Sequence, residues 1–303
     1  MSAEYRTTLA GATRKNPGQR ISWIEGGWEG IGSGGMLDDV WLEAAKHCVL
    51  PSIPAEAIPG GWKITAGYDW GDSAPFAMVY AAISDGSSIA WGGRVYPFIN
   101  GDILIFHEIY GCMPGQPNTG MRWSIDQQKR AFIEYELASG LRRQDPMSGR
   151  WLKAVRRGVA DNQIFNPKLG DPNDSMAKEF EESILINGVC QSGIAWDAAD
   201  KSGGSRKQGW AELRGRLSAT IPGANGAREH EGLFITSDCT SWIETVPTLP
   251  RKVDTDGNFL EDVADRAESH LGDATRYLIR RDTAPEIIFS GSISEFNATR
   301  RRA

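Results

Sequence analysis

From residue 62 onward the chain alternates short apolar runs with amphipathic stretches, and the two patterns predict different elements. Apolar runs bounded by turn-forming residues predict buried strands over 64–68, 76–83 and 103–110, with 88–96 extending the hairpin between the last two. Behind Ser124, whose hydroxyl suits a helix N-cap, Ile125, Phe132, Ile133 and Leu137 share one side of a predicted helix over 124–141. A strand over 154–160 closing on Asp161 comes next, then a helix over 175–187 ended by Gly188 and a strand over 189–196. A helix over 205–217, reached through a flexible Gly-Gly loop after Lys201, precedes a strand over 232–236 and a short helix over 241–249 stopped by Pro250. The loop 254–258 leads into a last predicted helix over 261–281, and upstream of residue 62 only 37–47 reads as helical. Three strands, a helix, and then strands alternating with helices predict an α/β fold, a mixed sheet flanked by helices.

The two ends of the chain differ from this body. Residues 1–60 alternate polar, Gly-rich pieces with the anchors Trp23, Trp28, Trp41 and Leu42 and close on a Pro-rich run, the composition of a linker lying against a larger domain. The domain itself is expected over 61–283, with 284–303, including Arg300 to Arg302, as a mobile tail. No stretch approaches the roughly 20 apolar residues that cross a bilayer, and the N-terminus lacks the apolar core of a signal peptide. A cytoplasmic protein with no membrane partner is therefore expected. Four scattered cysteines without a C-x-x-C pair point to neither a zinc knuckle nor a disulfide framework. The net charge of −6 argues against coating nucleic acid by bulk positive charge. It leaves room for an acidic metal site whose cations offset the negative cluster.

Such a site has candidates. In ITAGYDWGDS a buried strand delivers Asp69, and a carboxylate on a strand needs a partner, hydrogen bonds or a cation; capping of the adjoining turn is the plainer alternative. Asp161 closes a later strand in GVADNQ, and Asp273 sits in the final predicted helix within ESHLGDATRYLI. His270 lies three positions before Asp273 and so on the same helical face, while Asp262 and Asp265 are expected one to two turns earlier on that helix. Asp265 reads either as an extra ligand or as a solvated residue. Carboxylates from two strand ends and a helix form an oxygen donor set for divalent metal. Phosphodiester hydrolysis uses two such ions about 3.5–4 Å apart to stabilise attacking and leaving oxygens. No G-x-S-x-G elbow competes. Glu108 on the third strand reads as an exposed edge residue. Among the cations Lys201, Arg206, Lys207, Arg214 and Arg216, the Gly-Gly loop makes Lys201 and Arg206 the best phosphate contacts, whereas Arg214 and Arg216 suit a solvated helix face. Arg142, Arg143, Arg156 and Arg157 form a second basic group.

Taken together and in order, WIEGGWEGIGSGGML, GYDWGDSAPF, HEIYG, GVADNQIF, DSMAKEFEE, SRKQGWAELRGRL, LFITSDCTSWIETVPTLP and above all HLGDATRY resemble the C-terminal nuclease part of the large terminase subunit, the DNA-packaging motor of tailed double-stranded DNA phages. The resemblance spans nearly the whole chain and implies an RNase H-like fold. It implies metal-ligand roles for Asp69, Asp161 and Asp273, a place near the site for His270, and Mg²⁺ or Mn²⁺, two ions, as cofactor. It also implies an endonuclease cutting concatemeric double-stranded DNA in the host cytoplasm. Its partners would be a terminase ATPase domain, a small terminase subunit and a portal. Ser269 departs from the acidic residue the family often carries before the His. No G-x-x-x-x-G-K-[ST] loop is present, so residues 1–60 would follow an ATPase domain missing from this chain, and no ATP turnover is expected. A non-catalytic docking module of the motor and a Holliday-junction resolvase-like nuclease of the same fold are the competing readings.

Overall fold

The computed structural model describes residues 34–169, 171–265 and 267–283, and among them seven strands form one mixed sheet. In chain order these are β1 (Val49–Leu50), β2 (Lys63–Asp69), β3 (Ala77–Asp85), β4 (Asn100–Tyr110), β5 (Gly158–Ala160), β6 (Trp196–Ala198) and β7 (Leu233–Thr236). Side by side they run β1-β7-β4-β3-β2-β5-β6. β2, β3 and β4 form an antiparallel meander, and every other neighbouring pair is parallel. The architecture is the expected mixed sheet flanked by helices. The helices are α1 (Trp41–Cys48), α2 (Ile125–Ala138), α3 (Met176–Glu181), α4 (Ser205–Ser218), α5 (Thr240–Thr245) and α6 (His270–Thr283).

The alternation of side chains along β2 explains how the sheet is covered. Tyr68 points to one face, where its ring meets Phe132 of α2, Phe180 of α3 and Trp196 of β6. Gly67 and Asp69 point to the other, which α6 crosses. A Cβ on Gly67 would stand 2.2 Å from the Ala274 carbonyl oxygen, so the glycine lets the helix backbone lie directly on the strand. Burial of Trp210 from α4 against Gly272 ties the second helix of that layer to α6. On the opposite face α2 starts where expected, through a capping box in which the Ser124 hydroxyl accepts from Gln127 N and the Gln127 side chain accepts from Ser124 N.

Several elements differ from the sequence expectation, among them the strand expected over 189–196, which is split between Val189–Gln191 and Trp196–Ala198 in different sheets. The last helix begins at His270, not 261, because Arg251–Val253 and Phe259–Val263 pair as a hairpin around the Asp254 turn. There the Asp254 carboxylate accepts from the backbone of Asp256 and Asn258, Gly257 takes a positive φ, and Val263 is buried. Asp262 and Asp265 are therefore not on α6. The helix expected over 175–187 ends at Glu181, and Ile184–Ile186 pairs with Val189–Gln191 across Asn187-Gly188, both at positive φ. An Asn-Gly pair between apolar residues is a strong hairpin signal, and it outweighs helical spacing here. Residues 89–91 and 94–96 form a small ladder of their own.

Within the expected 1–60 segment, the described part adds to the core: Met36, Leu37, Val40, Trp41, Ile53 and Ile58 are buried, and β1 pairs with β7. Trp23, Trp28 and the tail with Arg300 to Arg302 lie outside the described residues. Among the described residues no helix is long and apolar enough to cross a membrane.

Candidate active site

β2 and β5 run parallel with Tyr68 opposite Ala160, so the residue after each pair stands at the same end of the sheet. Those residues are Asp69 and Asp161, and Asp161 N donates to Tyr68 O at 3.0 Å. α6 starts above this end and lays Asp273, in its first turn, over the two strand termini. All three carboxylates are less than one-tenth exposed and line one cavity of about 670 Å³, together with His270, Lys201 and Tyr277.

Each carboxylate already has protein partners. Asp161 Oδ2 lies 2.6 Å from Lys201 Nζ and 2.9 Å from the Tyr277 hydroxyl, while its Oδ1 accepts from Gln163 N at 2.7 Å. The same Tyr277 hydroxyl reaches Asp69 Oδ1 at 3.3 Å, so a single phenolic proton is shared between two acids. Asp69 Oδ2 is 2.9 Å from His270 Nδ1, and His270 Nε2 is 3.0 Å from Asn118 Oδ1. Asp273 Oδ1 accepts from Arg276 Nε and Nη2 at 2.9 and 2.6 Å, and its Oδ2 accepts from Ser269 Oγ at 2.7 Å.

These contacts separate the acids electrically. Burial raises the Asp69 carboxyl to about 6; the His270 hydrogen bond opposes the rise, and the charges of Asp273 and Asp161 add to it. Desolvation is thus a larger cause than repulsion among the three acids. Asp161 is also pushed up by burial, yet the Lys201 hydrogen bond and the Gln163 amide outweigh that, leaving it below the ordinary carboxylate value. Tyr277 is held well above the usual phenol range, by burial first and then by the three aspartates. It stays a hydroxyl at neutral pH.

The donor chemistry of Asp69, Asp161 and Asp273, three carboxylates lining one cavity, suits a hard divalent cation. The carboxylates are not arranged as a finished cage. Among the described residues no group of three or more His, Cys, Asp or Glu side chains stands close enough to hold a metal ion, and Lys201 and Arg276 sit on the carboxylates of Asp161 and Asp273.

The remaining candidates fall as follows. Asp265 lines the cavity mouth but is 70% exposed at its side chain and is bridged to Lys252 at 2.8 Å; it follows a hairpin and not a helical turn. Arg206 also lines the cavity, its Nε 3.1 Å from Asp262 Oδ1. Lys207 is exposed on α4 and outside the lining. Lys201, expected on a phosphate, sits on Asp161 with its ammonium 5.2 Å from the Tyr277 ring centre. Glu108 is not an edge residue: β7 covers β4, and the carboxylate accepts from Ser241 N and Trp242 N at 2.7 and 2.9 Å, capping α5. Arg142 leaves the second basic group, being buried against Glu136 at 2.7 Å. Arg214 pairs with Asp39, and Arg216 donates to Gly101 O.

Tyr277, Arg276 and Asn118 were not among the candidates. Tyr277 and Arg276 had a signal, since they follow Asp273 by four and three positions and so share its face. Asn118 arrives from a loop at positive φ, with nothing in its neighbours to announce it.

No protein-family model matches this chain, and no curated protein matches it. Among the solved structures that it resembles are nuclease domains of phage large terminases. The P22 domain is 12% identical over 83% of this chain and 94% of its own, with a TM-score of 0.49. The manganese-bound domain from bacteriophage SPP1 is 14% identical over 77% and 95%, TM-score 0.45. The magnesium-bound domain from thermophilic phage G20c is 10% identical over 82% and 97%, TM-score 0.46.

Proposed function

We propose that this chain is a divalent-metal-dependent endonuclease that hydrolyses phosphodiester bonds of double-stranded DNA during genome packaging. The observation that carries the reading is the convergence of Asp69, Asp161 and Asp273 on one cavity, from positions separated widely in sequence. Asp69, Asp161 and Asp273 would hold Mg²⁺ or Mn²⁺, two ions in this reading, which supply an activated water and neutralise charge on the phosphate. The protein's own groups prepare that site. Lys201 keeps Asp161 ionised, Arg276 and Ser269 fix the rotamer of Asp273, and Asp69 orients the His270 ring. Lys201 and Arg206 both line the cavity, where they would meet a phosphate, with Lys207 next along α4. A terminase ATPase domain, a small terminase subunit and a portal would be the partners, with ATP hydrolysis supplied by that ATPase domain.

The test is conversion of supercoiled plasmid to open circles and linear DNA in Mg²⁺ or Mn²⁺. Cleavage abolished by chelator and by Asp69→Asn supports the reading. Absence of cleavage by folded wild type in both metals overturns it in favour of a docking role. Discrete products at one short sequence in unrelated plasmids would contradict a site that reads only phosphates.

A further inference from the structure

The chain carries net charge −6, yet one groove concentrates the opposite sign. It has a volume of about 780 Å³ and lies at the N-terminal ends of β2 and β5, where Lys63 and residues 154–157 enter the sheet. Six cations line it, Lys63, Arg143, Lys153, Arg156, Arg157 and Arg281, against the two carboxylates of Glu56 and Asp197. Asp197 is bridged to Arg157 at 2.7 Å and approaches Arg281 at 3.5 Å. Lys153 donates to Gly193 O at 2.7 Å. Arg143 and Arg156 are exposed and have no ion-pair partner among the described residues.

The groove is distinct from the acidic cavity. α6 spans the two, with His270 at the acidic end and Arg281 at the basic one. Counting roughly 3.3 Å per residue along β2, the two ends of the strand are about 20 Å apart. The second basic group of the sequence analysis thus finds a place that the catalytic reading does not use, reduced by Arg142 and enlarged by Lys63, Lys153 and Arg281.

The lining favours nucleic acid over an acidic protein segment. Four of the six cations are arginines, whose planar forks bind phosphate oxygens in pairs. Protein partners are held chiefly by apolar or aromatic anchors, and of the large apolar side chains in this lining only Leu152 is exposed. Gly60 and Gly140 stand on the rim with nothing within 4 Å of where a side chain would begin, leaving room for a sugar-phosphate backbone.

We propose that this groove is a second binding surface for the phosphate backbone of duplex DNA, separate from the acidic cavity. The choice of DNA as the polyanion rests on the nuclease reading; the groove's affinity for it does not require catalysis. Phosphate contacts add salt dependence at roughly 0.9 per phosphate neutralised and carry no sequence information.

The experiment measures binding of a fluorescent 30-base-pair duplex by the full chain in chelator, at several salt concentrations, so that no cleavage occurs. Arg143→Ala/Arg156→Ala should lower affinity about tenfold at 0.1 M salt and flatten the logarithmic salt slope by about 2, with unchanged melting temperature and equal effects on unrelated sequences. Arg143→Gln/Arg156→Gln should do the same, which guards against a local folding effect. An unchanged slope in both double variants, or no duplex binding by wild type at 0.05 M salt, overturns the proposal. So does competition by a poly-glutamate peptide that equals the duplex charge for charge, which would assign the groove to an acidic protein. Plasmid cleavage by the wild type is read separately, so a failed groove and a failed nuclease are told apart.

Discussion

Lys201→Met should tighten divalent-metal binding while weakening the metal-free fold. The ammonium lies 2.6 Å from Asp161 Oδ2, so a cation that uses this carboxylate oxygen must displace it. A hydrogen bond to a charged group contributes about 1.5–3 kcal/mol. The Lys201 side chain is 40% exposed, and solvent screening cuts that to about 1–2 kcal/mol. Metal binding in the wild type bears this cost, and removing the ammonium returns it as a Kd lower by roughly 5- to 30-fold. In the metal-free variant the carboxylate keeps Tyr277 and Gln163 N but loses its counter-charge, for a stability loss of about 1 kcal/mol. Mn²⁺ titration by electron paramagnetic resonance gives the affinity, and melting with and without Mn²⁺ gives the linked stability. At a concentration near 100 times the wild-type Kd, stabilisation should be about 2.7 kcal/mol in the wild type and about 4.1 in a variant binding ten times tighter. Equal or weaker Mn²⁺ affinity in a folded Lys201→Met would refute the competition and with it the use of Asp161 as a ligand.

Three further expectations concern the frame around the site. His107, stacked on Tyr135 with ring centres 3.6 Å apart, is held down to about 4 by burial. Its neutral form therefore contributes stability that is complete above 6.5 and is lost as pH falls toward 4, about 2 kcal/mol after allowing for partial exposure; urea midpoints should drop more steeply over that range in wild type than in His107→Gln. Tyr277→Phe removes the hydroxyl between Asp69 and Asp161 and should cost about 1–2 kcal/mol in chelator, with the deficit shrinking in Mn²⁺; a deficit independent of metal would mean that the hydroxyl serves packing alone. Gly67→Ala places a methyl group 2.2 Å from Ala274 O and should cost about 3 kcal/mol by urea unfolding, whereas an unchanged midpoint would contradict the close crossing of α6 over β2.

The strands that build the site were legible because their patterns were pure. An apolar run ending in Asp69 and another ending in Asp161 predicted two carboxylates at strand ends, and the Ser124 cap predicted the start of α2. Periodicity did not separate the hairpin 251–263 from α6, since Asp262 and Asp265 fit a helical face as well as a strand and its following loop. Pairing over distance decided that, through the buried Val263 and the Asp254 turn. The role of Gly67 is the space it leaves for Ala274, a partner more than two hundred positions away. The counter-charges were the least legible: Lys201 looked like a phosphate contact because a Gly-Gly loop says nothing about which carboxylate lies across it. Tyr277 was hidden by its aromatic ring, which serves packing and hydrogen bonding at once.

The central claim is that Asp69, Asp161 and Asp273 act as one metal-dependent site. It is tested most directly by comparing Mn²⁺-stimulated plasmid cleavage by the single variants Asp69→Asn, Asp161→Asn, Asp273→Asn and Asp265→Asn, each shown to be folded by circular dichroism. The account predicts loss of at least a hundredfold in each of the first three and near wild-type cleavage in the fourth, whose carboxylate is exposed and bridged to Lys252. Cleavage retained by any one of the first three would contradict a shared site.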